Sequence, residues 1–147
     1  MADAESVEIL LVEDSSEDAE LTLRALKKHN LANRIHHAKD GVEALDFLFA
    51  RGPHADQATL RMLRVVLRDL KLPRVDGIEV LTQMRADPRT KLVPVVVLTS
   101  SREDPDISRC YALGVNSYIV KPVAFEEFIK VVSSLGLYWL LLSQPPT

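Results

Sequence analysis

The chain lacks the means for a disulfide framework: Cys110 is its single cysteine, so no intramolecular bridge can form. Its N-terminus, MADAESVE, has neither the basic nor the apolar region of a secretory signal. A cytoplasmic protein is expected from these two absences. A basic block is missing as well. The 18 basic and 21 acidic residues are spread along the sequence and sum to −3, without the clustered cations that track a phosphate backbone, which excludes direct nucleic-acid binding. The longest apolar stretch near the C-terminus, LGLYWLLL, falls far short of the roughly 20 residues that a membrane span requires. There is no internal repeat and no low-complexity tract. What is present is core material: a hydrophobic fraction of 47% in 147 residues suffices for one compact domain over 1–147.

Apolar, β-branched runs alternate with segments of helical period. VEILLV (7–12), RIHHA (34–38), VVLRD (65–69), VPVVVL (93–98) and SYIV (117–120) read as strands. Helices are expected over 16–29, 41–49, 77–86, 105–113 and from 124 to about 142. Five strand-then-helix units predict an α/β fold, a doubly wound five-stranded parallel sheet with right-handed crossovers. Strands one, three and four are continuously apolar, as burial on both faces demands. Asp40 with Glu43 and Asp76 with Glu79 carry the spacing of capping boxes, and Asp104 before Pro105 suits a cap followed by a first-turn proline. Ile107, Cys110 and Tyr111 share one helical stripe, as do Phe125, Phe128, Ile129, Val132 and Leu135, so Cys110 reads as a core residue. RGPHADQATLR (51–61) reads as a surface loop.

In an open parallel sheet, sites form where strands end at their carboxyl edge. Strand one ends in Glu13 and Asp14, strand three in Asp69, strand four in Thr99 and Ser100, and strand five in Lys121 and Pro122. Carboxylates crowded there repel by about 3 kcal/mol per pair at 5 Å and an effective dielectric near 20. A cation must offset that cost. All-oxygen ligands suit Mg²⁺, whereas zinc would want histidine or thiolate, and His36 and His37 fall inside strand two with His54 in the loop. Beside a metal that holds phosphate oxygens, an aspartate can act as a nucleophile toward phosphorus; Thr99 can donate to a phosphoryl oxygen and Lys121 supplies a point charge. Glu13 and Asp14 are expected to cap helix one as well.

The ordered set of Glu13-Asp14, Asp69 with Pro73 and Asp76-Gly77 beyond it, Thr99, and Lys121-Pro122 resembles the receiver domains of two-component response regulators, over nearly the whole chain. The resemblance implies the flavodoxin-like (β/α)5 receiver fold, with Asp69 accepting a phosphoryl group from a sensor histidine kinase. It implies Mg²⁺ held by Glu13, Asp14, Asp69 and the Lys71 carbonyl, with Thr99 and Lys121 sensing the phosphate. It further implies Tyr118 as a switch aromatic and a cis Lys121-Pro122 bond. The gap before strand three, the SREDPDI segment and the terminal LGLYWLLL are similar to the single-domain regulators paired with bacterial and cyanobacterial phytochromes. The chain ends soon after its fifth helix, so a stand-alone regulator is expected.

Three rival functions use the same sheet. An aspartyl-nucleophile phosphatase usually carries a second aspartate two residues after the nucleophile, where this chain has Lys71. A pseudo-receiver would keep the shape as a binding module with impaired phosphorylation, and Arg68 keeps that reading open. A flavin binder is disfavoured by the acidic loop EDSSEDAE. Arg68 falls on the strand face opposite Asp69 and is expected to reach toward solvent or an acid. The tail carries more apolar residues than one helix stripe can bury, so Tyr111, Leu137, Tyr138, Trp139 and Leu140 are expected to form a partner surface. A homodimer through helices four and five and the tail follows as the expectation.

Overall fold

A computed structural model describes residues 9–27, 35–49, 63, 65–69, 77–101, 103–112 and 114–135. Five strands, β1 (Ile9–Val12), β2 (Ile35–Ala38), β3 (Val65–Asp69), β4 (Val95–Thr99) and β5 (Ser117–Val120), alternate with five helices. These are α1 (Ser16–Lys27), α2 (Gly41–Leu48), α3 (Gly77–Ala86), α4 (Asp106–Ala112) and α5 (Phe125–Ser134). All strand pairs are parallel, in the order β2-β1-β3-β4-β5. The chain therefore leaves β1 on one side to form β2 and returns on the other to form β3. The crevice beyond the carboxyl ends of β1 and β3 is the topological switch point.

Side-chain alternation divides the core into two layers. Leu10, Val12, Val66, Val95 and Val97 pack with Ala44, Leu48, Val80, Met84 and Cys110 beneath α2, α3 and α4. Ile9, Leu11, Val65, Leu67, Val96 and Leu98 pack with Ala19, Leu26, Phe128 and Val132 beneath α1 and α5. Every residue of β1, β3 and β4 is buried, as their unbroken apolar runs require, whereas the edge strands β2 and β5 are only partly buried.

Several boundaries differ from the sequence expectation for identifiable reasons. β4 begins at Val95 because Pro94 has no N–H to donate and the Val93 N–H closes a turn onto the Thr90 carbonyl. α4 begins at Asp106, with the Ile107 N–H donating to the Asp104 carbonyl. Asp40 caps α2 through Oδ1, which accepts from the Glu43 N–H at 2.9 Å, while the Glu43 carboxylate reaches back to the Lys39 N–H. In α4, Ile107 and Cys110 face the core while Tyr111 is 44% exposed. α5 ends at Ser134 with Leu135 as its C-cap. Val7, Lys71, Pro73, Asp76, the 51–61 loop and the whole of 136–147 lie outside the described residues, the expected helical extension to about 142 included.

At the amino edge of β4, Arg85 of α3 ties three segments together. Its Nη1 donates to the Lys91 and Val93 carbonyls, both at 2.9 Å, and its Nη2 to the Gly114 carbonyl at 2.7 Å and Asn116 Oδ1 at 3.3 Å. Asn116 in turn accepts from the Val95 N–H through Oδ1 and donates its own N–H to the Val95 carbonyl. Gly114 sits at φ +96°, and a Cβ there would stand 2.9 Å from Arg85 Nε. Arg85→Ala is expected to cost about 2–3 kcal/mol in urea unfolding, and Gly114→Ala about 1–2 kcal/mol from backbone strain and the close approach. The double variant should lose less than the sum, because removing the guanidinium relieves part of the Gly114→Ala clash.

Candidate functional site

β1 and β3 deliver their acids to the switch point by register: Val12 pairs with Arg68, so Glu13 and Asp69 lie side by side at the carboxyl edge. Carboxylate oxygens of Glu13, Asp14 and Asp69 all fall within 4.8 Å of one another. Glu13 and Asp69 are buried and Asp14 is exposed. The cation that offsets this crowding is Lys121, 17% exposed at the end of β5. Its Nζ lies 2.9 Å from Glu13 Oε1, 3.0 Å from Asp69 Oδ1 and 2.8 Å from Asp18 Oδ2. The peptide bond that follows, Lys121-Pro122, is cis, as the resemblance implied.

Burial pushes the Glu13 carboxyl above the ordinary carboxylate range, and the neighbouring Asp69 adds to that, against the lowering contact with Lys121. Asp69 is raised likewise by burial and by the charge of Asp14, again opposed by Lys121 and, more weakly, by Arg68. For Lys121, burial acts downward. Its bonds to Asp18, Glu13 and Asp69 outweigh it and hold the ammonium above its usual range.

The backbone around Glu13 is fixed from two sides. Its N–H donates to the Ala38 carbonyl, and its own carbonyl accepts from His37 Nε2 at 2.8 Å, so that nitrogen carries the proton. The helix cap is a correction. Ser15, not Glu13 or Asp14, caps α1: its Oγ accepts from the Asp18 N–H at 3.1 Å, while Glu13 Oε2 accepts from the Ser15 N–H at 3.2 Å. Thr99 is buried at the end of β4, its hydroxyl donating to the Ser101 carbonyl at 3.0 Å and accepting from the Ser101 N–H at 3.2 Å. Tyr118 is half-buried against the layer beneath α2, α3 and α4. The Lys71 carbonyl lies outside the described residues, as do Leu137, Tyr138, Trp139 and Leu140.

Of the two outcomes expected for Arg68, solvent or an acid, the first is overturned. Arg68 is 0% exposed, and its Nη1 donates to Cys110 Sγ at 3.7 Å. The strand pleat sends it to the face opposite Asp69, where α4 roofs it. Sequence reasoning also passed over Asp18 and His37. Asp18 is an acid in the first turn of the helix that directly follows the Glu13-Asp14 pair, and that closeness in sequence could have flagged it. His37 lies within strand two, as the sequence predicts, yet its side chain crosses to the backbone at the end of the adjacent strand.

The all-oxygen donor set and the buried, raised carboxyls fit a hard divalent cation such as Mg²⁺. Without metal, ionising Asp69 opposes folding. Its raised pKa means that stability is retained while the group is protonated and lost as pH rises from the unfolded value of 3.8 through the folded one. Metal-free Asp69→Asn is therefore expected to melt about 2–4 °C above wild type at neutral pH, with the gap closing below the ordinary aspartate range, in calorimetric scans across pH.

The family profile described as "Response regulator receiver domain" matches residues 9–133. The chain is 41% identical over 138 residues to the probable methanogenesis regulatory protein FilR2 of Methanothrix harundinacea, covering 94% of this chain and 86% of that protein. The structure of the bacteriophytochrome response regulator AtBRR superposes with a TM-score of 0.78 at 48% identity, over 90% of this chain and 94% of that one. The Mn(2+)-bound form of response regulator Rcp1, a protein of Synechocystis, superposes with a TM-score of 0.71 at 34% identity, over 95% and 98%. With the five-stranded parallel sheet and the acids at its switch point, these likenesses place the chain in the response regulator receiver domain family.

Proposed function

We infer that this protein is a response regulator, with a receiver domain over 1–147, whose Asp69 takes up a phosphoryl group from the phosphohistidine of a sensor histidine kinase and which signals by protein–protein contact in the cytoplasm. The observation that carries this reading is the gathering of Glu13, Asp14 and Asp69 around the switch point with Lys121 bonded into the same cluster. A phytochrome is the proposed kinase class, supported by the likeness to AtBRR. Among the described residues no helix is long and apolar enough to cross a membrane.

Glu13, Asp14, Asp69 and the Lys71 carbonyl would hold Mg²⁺, which supplies charge neutralisation for the carboxylates and the incoming phosphoryl oxygens. One Asp69 oxygen forms the P–O bond as the P–N bond breaks, and the imidazole nitrogen leaves with that electron pair. Lys121 holds charge at the edge of the pocket, and the Thr99 hydroxyl can turn from the Ser101 carbonyl to donate to a phosphoryl oxygen. Tyr118 is the proposed switch aromatic. The chemistry is self-phosphorylation and self-dephosphorylation only, the latter a transfer of the phosphoryl group from Asp69 to water. Incubation with acetyl phosphate and Mg²⁺ is expected to give one phosphoryl adduct by intact mass, absent in Asp69→Asn and after chelation. Folded wild type without the adduct would exclude this reading in favour of a pseudo-receiver. Mg²⁺ at a hundredfold its Kd should add about 2.7 kcal/mol to wild-type stability.

A homodimer through α4, α5 and the tail belongs to the same proposal, supported by exposed Tyr111 and the apolar composition of LGLYWLLL. Truncation after Ser134 is expected to halve the mass in solution. An unchanged mass for a folded truncation would free the tail of that role.

A further inference from the structure

Lys121 is shared with a carboxylate outside the receiver constellation. An ammonium has three N–H donors, and in this structure three carboxylates surround them: Glu13, Asp18 and Asp69. Asp18 makes the shortest of the three contacts, a 2.8 Å hydrogen bond from Nζ. It comes from the first turn of α1, where Ser15 fixes the Asp18 backbone N–H. A cavity of about 320 Å³ opens beside the pair, between α1 and the end of β5, lined by Asp18, Leu21, Thr22, Ser100, Lys121 and Pro122. The ammonium thus has room to lie toward Asp18 as well as toward Asp69.

A phosphoryl group on Asp69 needs an N–H from this same ammonium. Phosphorylation removes the charge from the Asp69 carboxylate that Lys121 now meets, and transfers the demand to the phosphoryl oxygens further out. Asp18 is not modified and still faces the ammonium. It therefore competes for Lys121 at the moment when the phosphoryl group requires it.

We propose that Asp18 is a positioning residue that acts through Lys121: it holds the ammonium toward α1 and lowers the affinity of the site for a phosphoryl group on Asp69. This rests on the phosphoacceptor reading of Asp69, yet the two can fail separately. A carboxylate near an anion also repels it directly, so the test must isolate the path through Lys121. A double-mutant cycle does so.

The measured quantity is the affinity for beryllofluoride, a mimic of a phosphoryl group on a carboxylate, by calorimetry at saturating Mg²⁺. Wild type, Asp18→Asn, Lys121→Met and the double variant form the cycle. Asp18→Asn should tighten binding about threefold to tenfold, the scale of one partly exposed charge-assisted contact, and should have no such effect in the Lys121→Met background. An equal gain in both backgrounds would assign the effect to direct repulsion and overturn the proposal, as would no gain at all. If wild type binds no beryllofluoride, the phosphoacceptor reading falls, and the Asp18 contact is judged in metal-free protein by the Lys121 ammonium resonance. Loss of its slow proton exchange in Asp18→Asn supports the latch; an unchanged resonance refutes it.

Discussion

One ammonium group makes the carboxyl edge of this sheet possible. Glu13, Asp14, Asp18 and Asp69 converge there from β1, α1 and β3, and like charges at such distances repel by about 3 kcal/mol a pair at an effective dielectric near 20. Lys121 contacts three of the four from the end of β5. The offset is partial, since burial still holds Glu13 and Asp69 above the ordinary carboxylate range. The site thus keeps a surplus of negative charge, which is what gives a divalent cation something to bind.

The fold brings these groups together through register and pleat. β1 lies between β2 and β3, and the reversal of strand order there opens the crevice. Parity along β3 sends Val65, Leu67 and Asp69 one way and Val66 and Arg68 the other, so one strand end presents an acid to the pocket and a cation to the opposite layer. Burying Arg68 is the costly half of that arrangement. Its guanidinium lies under α4 against the Cys110 thiol, close enough to Asp69 to lower its pKa through space while facing away from the pocket.

The central strands and most of the site were legible because each rested on a local signal. Unbroken β-branched runs mark doubly buried strands, and their last residues mark the edge, which located Glu13, Asp69, Thr99 and Lys121 without any tertiary information. Asp18 and His37 were missed because their roles depend on a side chain crossing to another element: Asp18 reaches the end of β5, and His37 reaches the backbone of β1. The solvent route expected as one alternative for Arg68 fails for a related reason. Whether a charge next to a strand end reaches water depends on how far the next helix overhangs it, and no residue near Arg68 in the sequence carries the position of α4.

Two contiguous routes connect the site to α4, and they differ in kind. Arg68 is covalently adjacent to Asp69 and bonded to Cys110, so a shift of the β3 end bears on the buried face of the helix. The other route is a shared acceptor. The Ser101 carbonyl accepts both from the Thr99 hydroxyl and from the Asp104 N–H, and the Asp104 carbonyl accepts from Ile107 in the first turn of α4. If Thr99 turned its proton to a phosphoryl oxygen, the Ser101 N–H would keep its bond to Thr99 Oγ, and the tie between the strand end and the segment leading into α4 would drop from two hydrogen bonds to one. The two routes thus meet α4 at different places, Arg68 on its buried face and the Ser101–Asp104 contacts at its amino end. The exposed Tyr111 lies on the side of the helix that neither route holds.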